Sequence, residues 1–164
     1  MKVAIHFQVV YGHAVLSSPQ HLTTNSSAED LSKKLYKDIC GHVATSSLLP
    51  CLVDLCKSLW NIMNSYKRVV AFHCTNDDDS DDEYVQKKLE NGLSRIWQDV
   101  QTKVRLLIIS NDVSDVNIDQ FIRIIDVVHE LITVGGQFCE STSSTLAESL
   151  RQKCLAYFQV KHSY

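Results

Sequence analysis

Apolar residues recur along most of this chain at spacings of three and four, with polar residues between them, which is the pattern of helices that each bury one stripe. Residues 1–16 read as an amino-terminal apolar helix, and 17–27, SSPQHLTTNSS, as a polar loop in which Ser, Thr and Asn compete with helix bonds. Ser27 then caps a helix with Glu29 and Asp30 in its first turn and Leu31, Leu35 and Ile39 at i, i+4 and i+8, and Gly41 ends it. Pro50 opens a second helix whose stripe is Leu52, Leu55, Cys56, Leu59, Ile62, Met63, Tyr66, Val69 and Val70. A long helix follows over 82–109, with Val85, Leu89, Leu93, Ile96, Trp97, Val100, Val104 and Leu107 on one face and Gly92 inside it. After the connection SNDVSDVN at 110–117, a helix over 118–134 buries Phe121, Ile124, Ile125, Val128, Leu131 and Ile132, and Gly135-Gly136 stops or kinks it. Thr145 and Glu148 form a capping box for a last helix with Leu146, Leu150, Cys154, Leu155 and Phe158 inward.

These elements predict an all-α fold, an antiparallel helical bundle. Its organisation is an amino-terminal helix plus polar loop over 1–27 and a helical domain over 28–164, punctuated by an acidic linker at 75–83. Five Gly and two Pro in 164 residues leave few breakers for hairpins, and 45% apolar with 21% charged side chains is the balance of an ordinary globular domain. No run of 18 apolar residues occurs, so any membrane role is peripheral; His6, Gln8 and His13 interrupt the opening run as a signal peptide would not.

Charge changes the picture at one place. Asp77, Asp78, Asp79, Asp81, Asp82 and Glu83 hold six of the 19 acids; without them 13 acids face 16 bases, spread along the chain with no dense basic patch. Nucleic acid is therefore not an expected partner. The linker repels itself in any compact state, and Ser80, in Ser-Asp-Asp-Glu, fits the pattern of acid-directed kinases; the plainer reading of the run is a solvated loop.

The search for catalytic chemistry returns nothing that converges. The six cysteines, Cys40, Cys51, Cys56, Cys74, Cys139 and Cys154, lie in apolar helical stretches without CxxC spacing, which favours reduced core thiols and a cytoplasmic protein over a disulfide scaffold or a zinc site. The seven His residues are isolated; His73 points around its helix from Cys74, and His129 is read as a core or boundary residue. Gly135-Gly136 follows a helix rather than a strand and cannot cradle a phosphate, and the acid run lacks the spaced ligands and glycine of a calcium loop. No enzyme activity, cofactor or metal is expected. Trp60 and Trp97 are the candidate partner contacts, because aromatic anchors dominate interface energetics, although the plainer reading of Trp60 is a position at the edge of the core.

The order and spacing of several strings over 84–164 carry a resemblance: LSRIWQDVQTKV at 93–104, an acidic turn, Asp-Gln-Phe-Ile at 119–122, Val-Gly-x-x-Phe-Cys at 134–139 and Tyr-Phe-x-x-x-His at 157–162. This region resembles the syndetin family, the subunits that distinguish the endosome-associated recycling tethering complex; residues 28–73 are similar more loosely, through LWNIMNSYKRVVAFH. The resemblance implies a segment of a rod of stacked helical bundles that binds companion tether subunits and SNARE proteins in endocytic recycling and endosome-to-Golgi retrograde transport. It also implies a cytoplasmic protein, peripheral on recycling endosomes and the trans-Golgi network through its partners. Members of the family are several-fold longer, so a fragment or short form is expected. A stand-alone helical adaptor or regulatory protein would account for the same helices.

Overall fold

The structure, a computed structural model, describes residues 25–74, 82–139 and 143–162, and among them every regular element is a helix. In chain order they are α1 (Asn25–Gly41), α2 (Thr45–Cys74), α3 (Asp82–Ser110), α4 (Ile118–Cys139) and α5 (Ser144–His162). The expected amino-terminal helix, the loop through residue 24, Ser80 and the acidic run through Asp81 lie outside the described residues.

α3 is the axis of the bundle: it packs against each of the other four helices, while α2 also meets α4, and α4 also meets α5. Its direction relative to each neighbour is fixed by named contacts. Trp97 sits against Gly135 near the end of α4, while Phe121 at its start stacks on Tyr157, one turn past the Lys153 that reaches Asn111, so α4 runs antiparallel to α3. α2, with Lys67 at Gln137 and Cys56 near Glu130, runs with α4 and so also against α3, its Tyr66 hydroxyl donating to the Leu89 carbonyl at 3.2 Å. Tyr36 donates to the Lys103 carbonyl and Asn111 to the Cys40 carbonyl, which makes α1 parallel to it. α5, tied through Ser149 to Arg105 and through Lys153 to Asn111, is parallel as well. Among the described helices, no Cα of α1 comes within 8 Å of one in α2, α4 or α5.

The core is a continuous apolar cluster: Leu48, Leu52, Leu59 and Met63 from α2, Trp97, Val100, Val104, Leu107 and Ile108 from α3, Phe121, Ile124, Val128, Leu131 and Phe138 from α4, and Leu146, Leu150 and Tyr157 from α5. Burial of this kind is worth roughly 25 cal/mol per Å² of apolar area removed from water. It is the term that holds helices together whose local capping is modest.

Several expectations are corrected. α1 begins at Asn25, so 25–27 are helical, and its inward residues are Cys40 and, in part, Tyr36 and Ile39; Leu31 and Leu35 point outward. Among the described helices α3 is the one whose backbone comes close to α1, and it meets the Tyr36–Cys40 edge. α2 starts at Thr45, five residues before Pro50, which sits exposed in the second turn; its missing N–H leaves the Ser46 carbonyl to solvent, where water replaces the bond. Along the same helix Ile62 and Val69 are exposed, as is Val85 on α3. α4 does not stop at Gly135-Gly136 but continues to Cys139, because those glycines are packed rather than turned, as described below. The capping box of α5 is absent: the Ser143 carbonyl accepts the first helix bond from Ala147 N–H, Thr145 is already the second residue of the helix, and Glu148 accepts from Arg151 and Gln152 instead. Tyr157 takes the inward position that Leu155 and Phe158 were expected to share.

Candidate interaction site

Two of the side chains that decide the packing meet glycines. A Cβ on Gly135 would stand 2.0 Å from Cη2 of Trp97, so the indole lies directly on the α4 backbone, and only glycine leaves room for it. Glycine in a helix interior costs about 1 kcal/mol relative to alanine, which the burial of a large aromatic outweighs. Trp97 is consequently 1% exposed, and its place is in the chain's own core rather than on a surface offered to a partner. That corrects its candidacy as a contact residue. Gly92 plays a smaller version of the same part: a Cβ there would fall 1.9 Å from the Tyr66 hydroxyl, the outer end of a side chain that can swing. Trp60, by contrast, is 42% exposed on α2.

A polar knot closes one end of the bundle. Asn111, buried at the end of α3, donates from its amide to the Leu107 carbonyl at 2.7 Å and to the Cys40 carbonyl, the last turn of α1, at 3.1 Å; its own carbonyl accepts from Lys153 of α5. One side chain and its backbone thus join α1, α3 and α5. Burial holds the Lys153 ammonium below its ordinary range, with Asp112 acting against that shift, and hydrogen bonds from Ser114 hold Asp112 below its own. The connection 111–117 also sends Val113 and Val116 into the core, and Asn117 caps α4 through a 2.8 Å bond from Gln120 N–H to its Oδ1. Beside it the Phe121 and Tyr157 rings stack at 3.8 Å between centroids, Phe158 meets both edge-on, and the Tyr157 hydroxyl donates to the Val116 carbonyl at 3.0 Å.

The opposite end is open. Lys67 reaches the Gln137 carbonyl, near the end of α4, at 3.4 Å, so the last residues of α2 and the first of α3 pass beyond α4. There Phe72 is 66% and Tyr84 65% exposed, with His73 edge-on to Phe72 and Lys88 over the Tyr84 ring at 4.5 Å. The antiparallel register that pairs Tyr66 with Leu89 brings Phe72 and Tyr84 to the same level. The result is an apolar, aromatic tip joined by the acidic linker. A second exposed band, Ile118 and Ile122 of α4 with Phe158 of α5, flanks the Tyr157 stack.

Four of the described thiols are shifted away from reactivity. Burial pushes the Cys40 thiol up to about 11 and, with a smaller push from Glu130, the Cys56 thiol up to about 12; burial also raises Cys51 and Cys154. An activated nucleophile requires the opposite direction. Cys40 and Cys51 lie on helices whose Cα atoms stay beyond 8 Å of one another, too far for a disulfide. Among the described residues no three His, Cys, Asp or Glu side chains gather as a metal site, and no helix is long and apolar enough to cross a membrane. His129 is exposed rather than set into the core, and His73 belongs to the tip. The sequence reading missed the Asn111 knot and the tip at Phe72 and Tyr84. An Asn-Asp pair followed by two valines three positions apart is a weak signal, and the tip follows only from how far α4 extends.

The family model described as "Vacuolar-sorting protein 54, of GARP complex" matches residues 5–72. Syndetin of Gallus gallus is 39% identical over 183 residues, which cover 97% of this chain and 19% of that protein. Nearly the whole chain matches a segment of syndetin. Syndetins of Rattus norvegicus and Mus musculus are each 39% identical over 180 residues, 97% of this chain and 18% of theirs. The chain thus spans about a fifth of the length of the curated relatives it matches. No solved structure matches it significantly. The syndetin match extends over the helices that pack on α3, so the core contacts just described lie within the shared segment.

Proposed function

We propose that this chain is a non-catalytic helical segment of a vesicle-tethering subunit of the syndetin type, working through protein–protein contacts. The observation that carries the reading is a match at 39% identity that runs over 97% of the chain, supported by a family match to a component of another multisubunit complex. The geometry agrees with assembly as the means of action: a closed core of one chain's helices, aromatic and aliphatic side chains left outside at the α2–α3 tip and beside Trp60, and thiols held protonated by burial. On this reading the chain belongs on the cytoplasmic face of recycling endosomes and the trans-Golgi network. Its partners are companion subunits of the tether and SNARE proteins, and its work is endocytic recycling and endosome-to-Golgi retrograde transport. Trp60, large, aromatic and exposed, is the side chain of choice for a partner contact.

The test is affinity purification of the tagged 164-residue protein from cells with mass spectrometry of what remains bound. Recovery of companion tether subunits or endosomal SNAREs supports the reading. Their absence, with a folded monomer by light scattering, overturns it in favour of a helical protein that acts alone.

A further inference from the structure

Trp97, Gln101 and Ser143 each hold a buried polar atom, Nε1, Oε1 and Oγ respectively, with no hydrogen-bond partner among the described residues. Such atoms are nearly always paired, by protein or by internal water, because burying one unpaired is costly. These three lie at one level of the bundle. Trp97 and Gln101 are four residues apart on α3, the spacing at which helical side chains are neighbours. Gln101 is likewise one turn before Arg105, whose Nε donates to Ser149 Oγ of α5 at 2.9 Å, so it lies on the side of α3 that meets α5. The two helices run parallel. Six residues back from the Arg105–Ser149 contact stand Asp99 on α3 and Ser143 at the start of α5, which puts Ser143 level with the midpoint between Trp97 and Gln101.

The indole cannot turn to find an acceptor of its own, because its Cη2, Cζ2 and Cε2 edge is pinned on Gly135 and Nε1 is bonded to Cε2. The chemistry of the three is complementary: an N–H that only donates, an amide oxygen that only accepts and a hydroxyl that does either. We propose that one internal water molecule joins them, accepting from Trp97 Nε1–H and donating to Gln101 Oε1 and Ser143 Oγ. Three hydrogen bonds are what a buried water typically makes. The start of α5 is then held to α3 through this water as well as through the buried Leu146 and Leu150. The inference concerns the chain alone and is independent of any tethering role.

The chain has two tryptophans, so 15N labelling of their indoles gives two Hε1 signals, which Trp60→Phe assigns. The test is the nuclear Overhauser effect between water and each Hε1 in the full chain. Trp97 Hε1 is expected to show a cross-peak with the sign of a long-lived bound water, while exchanging its own hydrogen with solvent at least about tenfold more slowly than Trp60. Gln101→Met, close in size but without the amide oxygen, is expected to remove the cross-peak with near-ultraviolet circular dichroism retained. Gln101→Glu, which keeps an acceptor, is expected to preserve it. Absence of the cross-peak in the parent chain would overturn the proposal; if the Trp97 Hε1 resonance then also moved upfield in Gln101→Met, the indole would be assigned a direct bond to Gln101. A cross-peak that survives Gln101→Met, or that is lost in both variants, would overturn it too, because the acceptor at 101 would not be what holds the water.

Discussion

The two ends of α3 carry similar apolar side chains and meet opposite surroundings. From Val100 to Ile108 the inward face of the helix is covered by its neighbours and Val100, Val104, Leu107 and Ile108 are buried, whereas Tyr84 and Val85 at its start are exposed. The difference lies in the lengths and registers of the other helices. α1 and α5 enter alongside α3 only near Lys103 and Arg105, and α4 ends near the level of Lys67, so the α2–α3 hairpin projects past them. Amphipathicity thus says which face of a helix can be buried; the reach of its neighbours decides how much of it is.

Breaking the closed end should cost most. Gly135→Ala forces a methyl into the Trp97 ring, which is hemmed in and cannot swing away, and we expect a loss of about 3 kcal/mol or more in chemical denaturation, at the upper end for overpacking a core. Trp97→Leu in the same chain should recover part of it, since the two positions share one contact, and a double-mutant cycle reads the coupling directly.

Next in size is the knot. Asn111→Leu removes two buried amide hydrogen bonds, to the Leu107 and Cys40 carbonyls, and leaves the Cys40 carbonyl only its bond from Val43 N–H, so the loss is about 1–2 kcal/mol. Because the Asn111 bond to Cys40 and the Tyr36 bond are the named ties of α1, hydrogen exchange should accelerate in α1 before it does in α4 or α5. Uniform acceleration throughout the bundle would show instead that α1 is not a separable element.

These two effects also mark what could be read in the sequence. The five helices among the described residues, the span of α3 and the inward residues of α4 were legible, because period and burial agree wherever a helix has neighbours along its length. Gly135-Gly136 was misread as a stop because a glycine that breaks a helix and a glycine that admits an indole are the same letter; the difference lies in Trp97, nearly forty positions away. Leu31, Leu35, Ile62 and Val69 were assigned to the core by a rule that assumes every apolar stripe has a partner in the chain. Of the candidate contact residues, Trp97 already lies on the apolar face of its helix in the sequence and Trp60 off that of its own, and packing widens the separation to 1% against 42% exposure.

A smaller effect comes from pH. The Cys40 and Cys56 thiols, ordinarily ionising near 9, are raised to about 11 and about 12 in the folded chain. Above pH 9 the unfolded chain therefore releases these protons while the folded chain still holds them, so stability is intact below pH 9 and falls as pH rises through 11 to 12. The midpoint of thermal unfolding should decline over this window, by about 2–4 °C for each kcal/mol lost in a chain of this size. Cys40→Ala with Cys56→Ala should flatten the decline, whatever the double substitution costs at neutral pH.

Gly92→Ala sharpens the contrast with Gly135. The obstructing atom is the Tyr66 hydroxyl, which can swing outward at the expense of one hydrogen bond to Leu89, about 1 kcal/mol, and alanine returns about the same in helix propensity. A net change within about 0.5 kcal/mol is expected. A cost approaching that of Gly135→Ala would mean that the open end is packed as tightly as the closed one.

The smallest effect on folding is expected at Trp60, and it is the one that bears on function. Because so much of the indole already lies in water, Trp60→Ser should change stability by no more than about 1 kcal/mol, far less than truncating a buried tryptophan. An interface anchor behaves otherwise: removing one costs about 2 kcal/mol or more in binding, a loss of at least about thirtyfold. Comparing the two numbers for one substitution separates the roles. Intact stability with lost recovery of tether subunits assigns Trp60 to an interface, whereas a stability loss like that of a core residue, with binding unchanged in the folded fraction, returns it to the edge of the core.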